Sequence, residues 1–293
     1  MNMMKFLTFG VLLFGVGSFP TRVCAAETPP PPGSSIHGFT EVAFKSAYIT
    51  PRGLVVSKQG LTTQILHGLV LGLWEGAGVV RDVALVTGLW ADFNSEQRHT
   101  HARTLNELDY FGGLSAKLSR RFEAAATYVV FLSPPHNFKP EHNLEFKLAY
   151  ADGRLPSDTT LNPYAKLFWA LQGDSTVLLG RRGKTYDVEL GAVPSRTWRV
   201  GSRIPVTTSL PTFLTLGGPG FFGGGQALGV FSTGPKVSVP LNLIPARLGS
   251  WHADAGLAYF HLANDNLVQA SRILGNGGRR DEWVTSAHLG MGF

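Results

Sequence analysis

The chain has 293 residues, 26 of them basic and 20 acidic, with a formal net charge of +6 and a single cysteine. A charge this modest, with no run of five like charges, excludes a basic stripe that binds nucleic acid. One cysteine excludes a disulfide-bonded scaffold. No stretch beyond the N-terminal region is apolar enough and long enough for a membrane-spanning helix.

The N-terminal residues have the pattern of a signal peptide that directs export. Lys5 precedes the apolar run 6–19, and the small residues Ala25 and Ala26 follow it. The run is shorter than the roughly 20 residues of a membrane-spanning helix. We therefore expect a signal peptide at 1–26, a proline-rich leader at 27–36 and one folded domain at 37–293. Cleavage would lower the net charge from +6 to +4, because Lys5 and Arg22 are lost and no acidic residue is.

Twelve segments of the folded domain alternate between apolar and polar or small residues, which is the period of a β-strand. In 142–150, for example, Phe146 and Leu148 alternate with Glu145 and Lys147. Most of these segments have about 9–13 residues, as a tilted strand needs to cross a bilayer, whereas strands of soluble sandwiches are shorter. The predicted strands are 39–48, 62–73, 84–93, 107–118, 121–132, 142–150, 163–171, 185–192, 204–216, 227–241, 251–259 and 283–293.

Charged side chains in the middle of several strands lie opposite a continuous apolar face. Alternation alone does not say which face is inside, but export, strand length and aromatic residues near the strand ends favour lipid on the apolar face. These aromatic residues are Tyr48, Trp74, Tyr110, Tyr150, Trp169, Trp251 and Trp283. The lipid-facing residues should include Leu144, Phe146, Leu148, Leu190, Leu257 and Leu289. The fold predicted is an all-β antiparallel transmembrane barrel of about 12 strands, located in the bacterial outer membrane.

The connections also fit a barrel, which has long outer loops and short inner turns. The predicted outer loops include 49–60, 94–105 and 262–281, and the inner turns include 118–121 and 242–250. The inner connections 151–162 and 193–203 are longer than this rule expects.

The segment 283–293 ends the chain on a strand whose last residue is Phe293. A barrel has no free edge, so this strand should pair with 39–48. A terminal phenylalanine after alternating apolar residues resembles the C-terminal signal of bacterial outer-membrane barrels. The resemblance implies that the barrel-assembly machinery is a partner through this strand.

Three further stretches resemble a family of small putative porins of the TorF-like type. They are "KSAYITPRGLVVSKQG" (45–60), "NELDYFGGLSAKL" (106–118) and "VSVPLNLIPARLGSWHADAGLAYFHL" (237–262). The resemblance implies an outer-membrane barrel with a porin-like function.

The motifs that could bind a cofactor or a metal lack the neighbouring residues that such sites require. "GPGFFG" (218–223) matches the dinucleotide-binding pattern, but neither a helical period nor an acidic residue follows it in the next 20 positions. The pairs His99 with His101 and His136 with His142 lack a complete ligand set. We therefore predict no cofactor, no metal site, no nucleic-acid partner and no catalytic residues.

The predicted function is passive diffusion of small hydrophilic solutes through the outer membrane, without a chemical step. Mixed charges on the inner face would hold water and favour polar solutes. Two alternatives share the fold: a barrel enzyme that hydrolyses lipids or esters, and a structural barrel whose lumen is plugged. A secreted carbohydrate-binding β-sandwich is the soluble alternative. The predicted pore-lining residues are Glu41, Lys45, Asp109, Lys117, Glu145, Lys147, Lys166, Asp187, Glu189 and Lys236.

Overall fold

The computed structural model describes residues 36–96, 104–119, 121–152, 159–172, 184–200, 204–223 and 225–293. The predicted signal peptide and all but one residue of the leader lie outside this part of the chain, as do His99 and His101. The first strand begins at Ile36, the last residue of the predicted leader.

The described residues form eighteen strand segments and one α-helix. Segments β1 to β8 are Ile36–Lys45, Tyr48–Ile49, Val55–Ser57, Thr62–Glu75, Val80–Asn94, Leu105–Leu118, Phe122–Leu132 and Glu141–Tyr150. Segments β9 to β14 are Thr159–Thr160, Tyr164–Gln172, Thr185–Ala192, Ser195–Val200, Ile204–Ser209 and Thr212–Gly217. Segments β15 to β18 are Leu228–Thr233, Lys236–Pro240, Ser250–Leu262 and Asp281–Gly292. The helix α1 is Asp265–Ile273, and a 3-10 turn occupies Ala246–Leu248.

Sixteen of these segments, all except β2 and β3, build a closed antiparallel barrel of twelve strands. Eight barrel strands are single segments, and four consist of two segments each: β9 with β10, β11 with β12, β13 with β14, and β15 with β16. The barrel closes where β18 pairs with β1, from Phe39 opposite Gly292 to Lys45 opposite Ser286. The predicted fold class is confirmed, although the first strand ends at Lys45 and not at Tyr48.

Four prolines interrupt four neighbouring barrel strands, and we call Pro163, Pro194, Pro211 and Pro235 the proline belt. They lie beside one another in the wall: Leu210 donates its backbone N–H to the carbonyl of Pro194 at 2.8 Å, and Ser209 pairs with Lys236. Proline has no N–H to donate to a strand ladder, so each strand is broken there. Beyond the belt, β12 occupies most of the stretch 193–203, which the alternation had suggested was a long connection.

The two ends of the barrel differ in their connections. The connections 46–61, 133–140 and 263–280 share the end that we call outer, and the strands on either side of 95–104, 173–184 and 218–227 also have their nearer ends there. The connections 76–79 and 241–249 lie at the opposite, inner end, where the strands on either side of 119–121, 151–158 and 201–203 also end.

The last residue continues the ladder that closes the barrel. The backbone N–H of Gly38 donates to the carbonyl of Phe293 at 2.8 Å, and the N–H of Phe293 donates to Gly38 at 3.0 Å. The Phe293 ring lies over Gly38, where an added Cβ would be only 2.1 Å from its Cζ atom. A side chain at position 38 would therefore displace the terminal aromatic ring from this place.

The two faces of the wall follow the predicted alternation. Phe146 and Leu148 are 39% and 47% exposed on the outer surface, whereas Glu145, which precedes Phe146, is fully buried inside. Leu190, Leu257 and Leu289 are exposed in the same way. The wall thus presents apolar side chains outward and charges inward, which is the arrangement of a barrel in lipid.

Most of the aromatic residues named from the sequence also lie on the outer surface, with Trp74, Trp169 and Trp283 all more than two-fifths exposed. Tyr48 is the exception, since only 1% of it is exposed. Its placement at the membrane interface was wrong, because β1 ends at Lys45 and the chain then turns into the barrel.

The facing of β8 can be tested by exchanging one residue on each side of the wall. Phe146→Arg places a cation in lipid near the middle of the strand and should lower the free energy of unfolding by about 2–4 kcal/mol. Lys147→Arg keeps the same charge on the inner face and should cost much less. Urea unfolding in lipid vesicles measures both, and equal costs would contradict the assignment.

Candidate channel interior

Three segments from the outer connections fold back and fill the outer half of the barrel. They are the β2–β3 hairpin (48–57), the turn 218–223 and α1, and together we call them the plug. Phe221, Phe222 and Leu267 are each at most 1% exposed and pack with residues of the inner wall. The glycine-rich motif "GPGFFG" thus contributes two buried aromatic rings to the plug.

Asn276 joins the hairpin to the last outer connection through side-chain hydrogen bonds. Its amide donates to the carbonyl oxygens of Val55 at 2.8 Å and Val56 at 3.2 Å, and its Oδ1 accepts from the N–H of Lys58 at 3.1 Å. The ammonium of Lys58 then reaches Glu282 on the inner wall at 2.5 Å. One amide side chain therefore satisfies three backbone groups of the hairpin.

Arg52, at the tip of the hairpin, is the cation at the centre of the outer half. Its guanidinium lies 3.9 Å from the ring centroid of Phe168 and 5.5 Å from that of Phe131. Its charge also acts on Asp109 and Asp187 of the surrounding wall. Aromatic faces and carboxylates thus hold the hairpin tip, through contacts that stabilise a desolvated cation.

Tyr48 ties the base of the hairpin to the same acidic wall. Its hydroxyl donates to Oε2 of Glu107 at 2.9 Å. Burial, followed by the nearby carboxylates of Glu107, Asp92 and Asp109, raises the pKa of Tyr48 well above its usual value. The phenol therefore stays protonated and remains a hydrogen-bond donor.

The helix α1 packs against the hairpin and the turn. Asn264 caps it by accepting from the N–H of Asn266 at 2.9 Å, and the amide of Asn266 donates to the carbonyl of Phe222 at 2.7 Å. Gly53 has a φ of 88°, and an added Cβ would be 2.9 Å from a Leu267 methyl and 3.0 Å from Val230. The hairpin turn fits between helix and wall because this residue has no side chain.

Below the plug lies a cavity of about 110 Å³ that we call the lysine chamber. Ile49 and Pro51 of the hairpin form its roof, and four lysines of the wall reach it: Lys45, Lys147, Lys166 and Lys236. Glu189 is the one carboxylate among the described residues that line it. The chamber is therefore strongly basic, in contrast to the acidic wall around Arg52.

The lysines of the chamber differ in their partners. Lys166 lies 3.7 Å from Glu145, and Lys236 lies 2.6 Å from Asp254. Lys147 lies 5.0 Å from the ring centroid of Tyr164, whose hydroxyl donates to Glu189 at 2.7 Å. Within the described residues, neither Lys45 nor Lys147 forms an ion pair.

A histidine and two carboxylates meet beside the chamber with the composition of a metal site. Glu41, Asp254 and His288 place potential ligand atoms within 4.8 Å of one another. Nδ1 of His288, however, lies 2.9 Å from Glu41, and Lys236 already neutralises Asp254. The cluster therefore works as an internal ion network. From the sequence we considered only loop histidines, although the alternation places His288 on the inner face opposite Asp254.

The ten side chains named as pore-lining all belong to inner-face positions of the wall, but they fall into separate groups. Five meet at or next to the lysine chamber, namely Lys45, Lys147, Lys166, Glu189 and Lys236. Asp109, Glu145 and Asp187 lie in the buried acidic wall. Glu41 pairs with His288, and Lys117 pairs with Asp82 at 3.0 Å nearer the inner end.

The plug residues were missed because strand alternation says nothing about whether a loop folds inward. A signal was present in the apolar run 53–56 and in Phe221 and Phe222, since apolar residues in a loop need cover from water.

The closed wall, the inverted facing and the exposed aromatic residues define this protein as a β-barrel of the bacterial outer membrane. Of the helices in the described residues, none has the length and apolar character needed to span a membrane.

Comparisons with known proteins give structural likenesses only. No protein-family model matches the chain, and no curated protein is significantly similar to it. The β domain of the Bordetella autotransporter BrkA has a TM-score of 0.48 at 11% identity, over 88% of this chain and 99% of that one. The COG4313 outer membrane channel from Pseudomonas putida F1 has a TM-score of 0.47 at 12% identity, over 90% of this chain and 99% of that one. A bacterial polysaccharide outer membrane secretin has a TM-score of 0.45 at 10% identity, over 88% and 97%.

The close packing at Gly53 gives a test of the plug. Gly53→Ala adds a side chain at a left-handed backbone position that also faces Leu267, so the hairpin should undock while the barrel stays closed. Trypsin added to intact cells should then cleave after Lys58 several times faster than in the unchanged protein, measured by mass spectrometry. Gly275→Ala serves as the control, because it has the same backbone strain and its added Cβ meets nothing within 4 Å. Equal cleavage in the two variants would contradict the docked hairpin.

Proposed function

We propose that the barrel is a passive channel for small hydrophilic solutes and that the plug is its outer gate. On this proposal the protein has no catalytic step, and it is a relative of the TorF-like porins that three of its segments resemble. Insertion by the barrel-assembly machinery through the strand that ends at Phe293 belongs to the same proposal.

The observation that carries the proposal is the state of the charges on the inner wall. Both carboxylate oxygens of Glu145 and one of Asp187 are buried and accept no hydrogen bond from a described side chain or backbone group, although Lys166 lies 3.7 Å from Glu145 and the charge of Arg52 acts on Asp187. Burying such groups without hydrogen-bond partners costs several kcal/mol or more. Hydrogen bonds to water or to solutes would remove this cost, which supports a hydrated lumen over a permanently dry core.

The way the plug is attached supports a gate. The hairpin is held by hydrogen bonds from Asn276, by the ion pair of Lys58 with Glu282 and by the packing of buried side chains such as Tyr48. A hydrogen bond of this kind contributes about 1 kcal/mol. The hairpin pairs only with itself, so it can leave the lumen without opening any strand ladder of the wall.

The enzyme alternative finds less support at the outer rim. Oδ1 of Asp281 lies 2.8 Å from Nδ1 of His261 and accepts from the hydroxyl of Tyr259 at 2.5 Å. The third member of this group is a tyrosine and not the serine that a hydrolase of the triad type needs. The arrangement suits the polar border of the membrane, where Tyr259 also packs on Trp283 at 4.9 Å.

Recording single channels of the purified full-length protein in a planar bilayer tests the proposal. We expect discrete openings separated by long closed periods, because the gate is docked in the resting state. A membrane that stays as silent as one without protein would favour the plugged structural barrel.

Asn276→Ala should raise the open fraction. Loss of its contacts to Val55, Val56 and Lys58 removes roughly 2–3 kcal/mol of hairpin attachment, which corresponds to a shift of about 30-fold or more in the docking equilibrium. Open probability in the same bilayers measures it. Asn137→Ala, at an exposed position of the connection 133–140, is the matched control and should not change gating. An unchanged open fraction in Asn276→Ala would argue against the hairpin as the gate.

A further inference from the structure

We infer that the lysine chamber is a binding site for a small carboxylate with a short apolar body. The inference deepens the proposed function by naming a solute class, and it rests on that function only for the claim that such a solute passes through. Binding itself requires no conduction.

The positive charge of the lysines in the chamber favours the binding of an anion. Lys166 and Lys236 form ion pairs with Glu145 and Asp254, but Lys45 and Lys147 form none among the described residues. Carboxylates such as Glu41 for Lys45 and Glu189 for Lys147 act on these two lysines only from beyond ion-pair distance. The hydroxyl of Tyr164 already holds one oxygen of Glu189. A carboxylate bound in this partly enclosed cavity would supply a direct ion-pair partner to a lysine that lacks one.

One side of the chamber is apolar, beside polar lining residues such as Thr233 and Ser286. Phe213 and Phe260 lie edge to face with centroids 6.4 Å apart, and Ile49 and Val284 complete this side. An inorganic anion would leave these surfaces in contact with water. A carboxylate with a hydrocarbon body would cover them while its oxygens remain at the lysines, so both halves of the ligand find matching surface.

The size of the chamber limits that body. An apolar cavity of about 150 Å³ is large enough for benzene, and the lysine chamber has about 110 Å³. A chain of a few carbons therefore fits better than an aromatic ring or a sugar. Because Ile49 and Pro51 roof the chamber, a bound carboxylate would also touch the gate directly.

The position of Lys147 is fixed by its neighbours. It lies on β8 directly opposite Lys166 of β10, and the ring of Tyr164 lies beneath its ammonium at 5.0 Å. Repulsion from Lys166 and attraction by the ring hold the ammonium toward the chamber. Lys147 is therefore the main charge for recognition.

Butyrate is the probe for the test, with butyramide as its uncharged counterpart and inorganic phosphate as an anion without a hydrocarbon body. Ligand-observed NMR titration of the folded full-length protein in detergent should show saturable butyrate binding. Butyramide should bind at least roughly tenfold more weakly, since it lacks the charge, and phosphate should also be weaker. Equal affinity for butyrate and butyramide, or phosphate binding as tightly as butyrate, would overturn the inference.

Lys147→Gln should weaken butyrate binding roughly tenfold, which corresponds to about 1.4 kcal/mol. Lys45→Gln should act in the same direction. Lys117→Gln is the matched control, because it removes an inner-wall lysine that pairs with Asp82 and does not line the chamber. Heat-modifiable mobility in gels shows which variants are folded. Butyrate binding that is unchanged in both Lys147→Gln and Lys45→Gln would overturn the assignment.

Binding and conduction can fail separately. Saturable butyrate binding in a barrel that shows no openings would keep the site and reject the channel. Openings that butyrate does not affect, together with no NMR binding, would keep the channel and reject the site.

Discussion

A chain in the hydrocarbon region of a membrane has to satisfy its own backbone hydrogen bonds, because lipid offers no partners. Pairing β18 with β1 meets this requirement for the whole wall, and the facing of every side chain follows from it. Once the sheet is closed, alternate residues point to lipid or to the lumen, and a single register places Glu145 inside and Phe146 outside. The closing ladder runs to the last residue, where the ring of Phe293 rests on Gly38.

Acidic and basic side chains of the inner wall are concentrated at different levels along the barrel axis. Around Arg52 the wall is acidic, with Glu107, Asp109 and Asp187 buried near a single guanidinium. Below the hairpin the wall is basic, with four lysines at one cavity. A filled structural core would mix the two signs closely so that each charge found a partner. Here they meet only in part, where Lys166 lies 3.7 Å from Glu145 and where Glu189 lines the chamber. The remaining separation creates an electric field along the barrel axis, which acts on any ion that enters.

The number of strands, their approximate positions and their facing were predictable from the sequence because each depends on a period of two residues along one strand. The prediction was weakest where that period is interrupted. At Pro194 the strand continues after a break, so 193–203 was taken for a connection. At Tyr48 an aromatic residue close to the end of a strand was assigned to the membrane interface, although it belongs to a hairpin that turns inward.

The candidate site was less predictable than the wall. The sequence placed ten charged residues on the inner face, but which of them share a cavity depends on pairing between distant strands, as for Lys45 and Lys147. The roof of that cavity comes from a loop, and loop docking leaves no periodic signal. Even so, apolar loop residues such as Leu54 and Phe221 indicated that parts of the outer connections are buried away from water.

The proline belt has a consequence for how the wall opens locally. Hydrogen exchange reports the smallest cooperative unit that must unfold to expose an amide. On the outer side of the belt, β10 and β11 pair over seven residues and β11 and β14 over six. On the inner side, the ladders of β9 with β12 and of β13 with β16 have only two and three residue pairs. Because the prolines interrupt the backbone between the two groups, the inner segments form a patch of the wall, four strands wide, that can exchange its amides without disturbing the ladders above it. The barrel is therefore one closed surface with at least two levels of local stability.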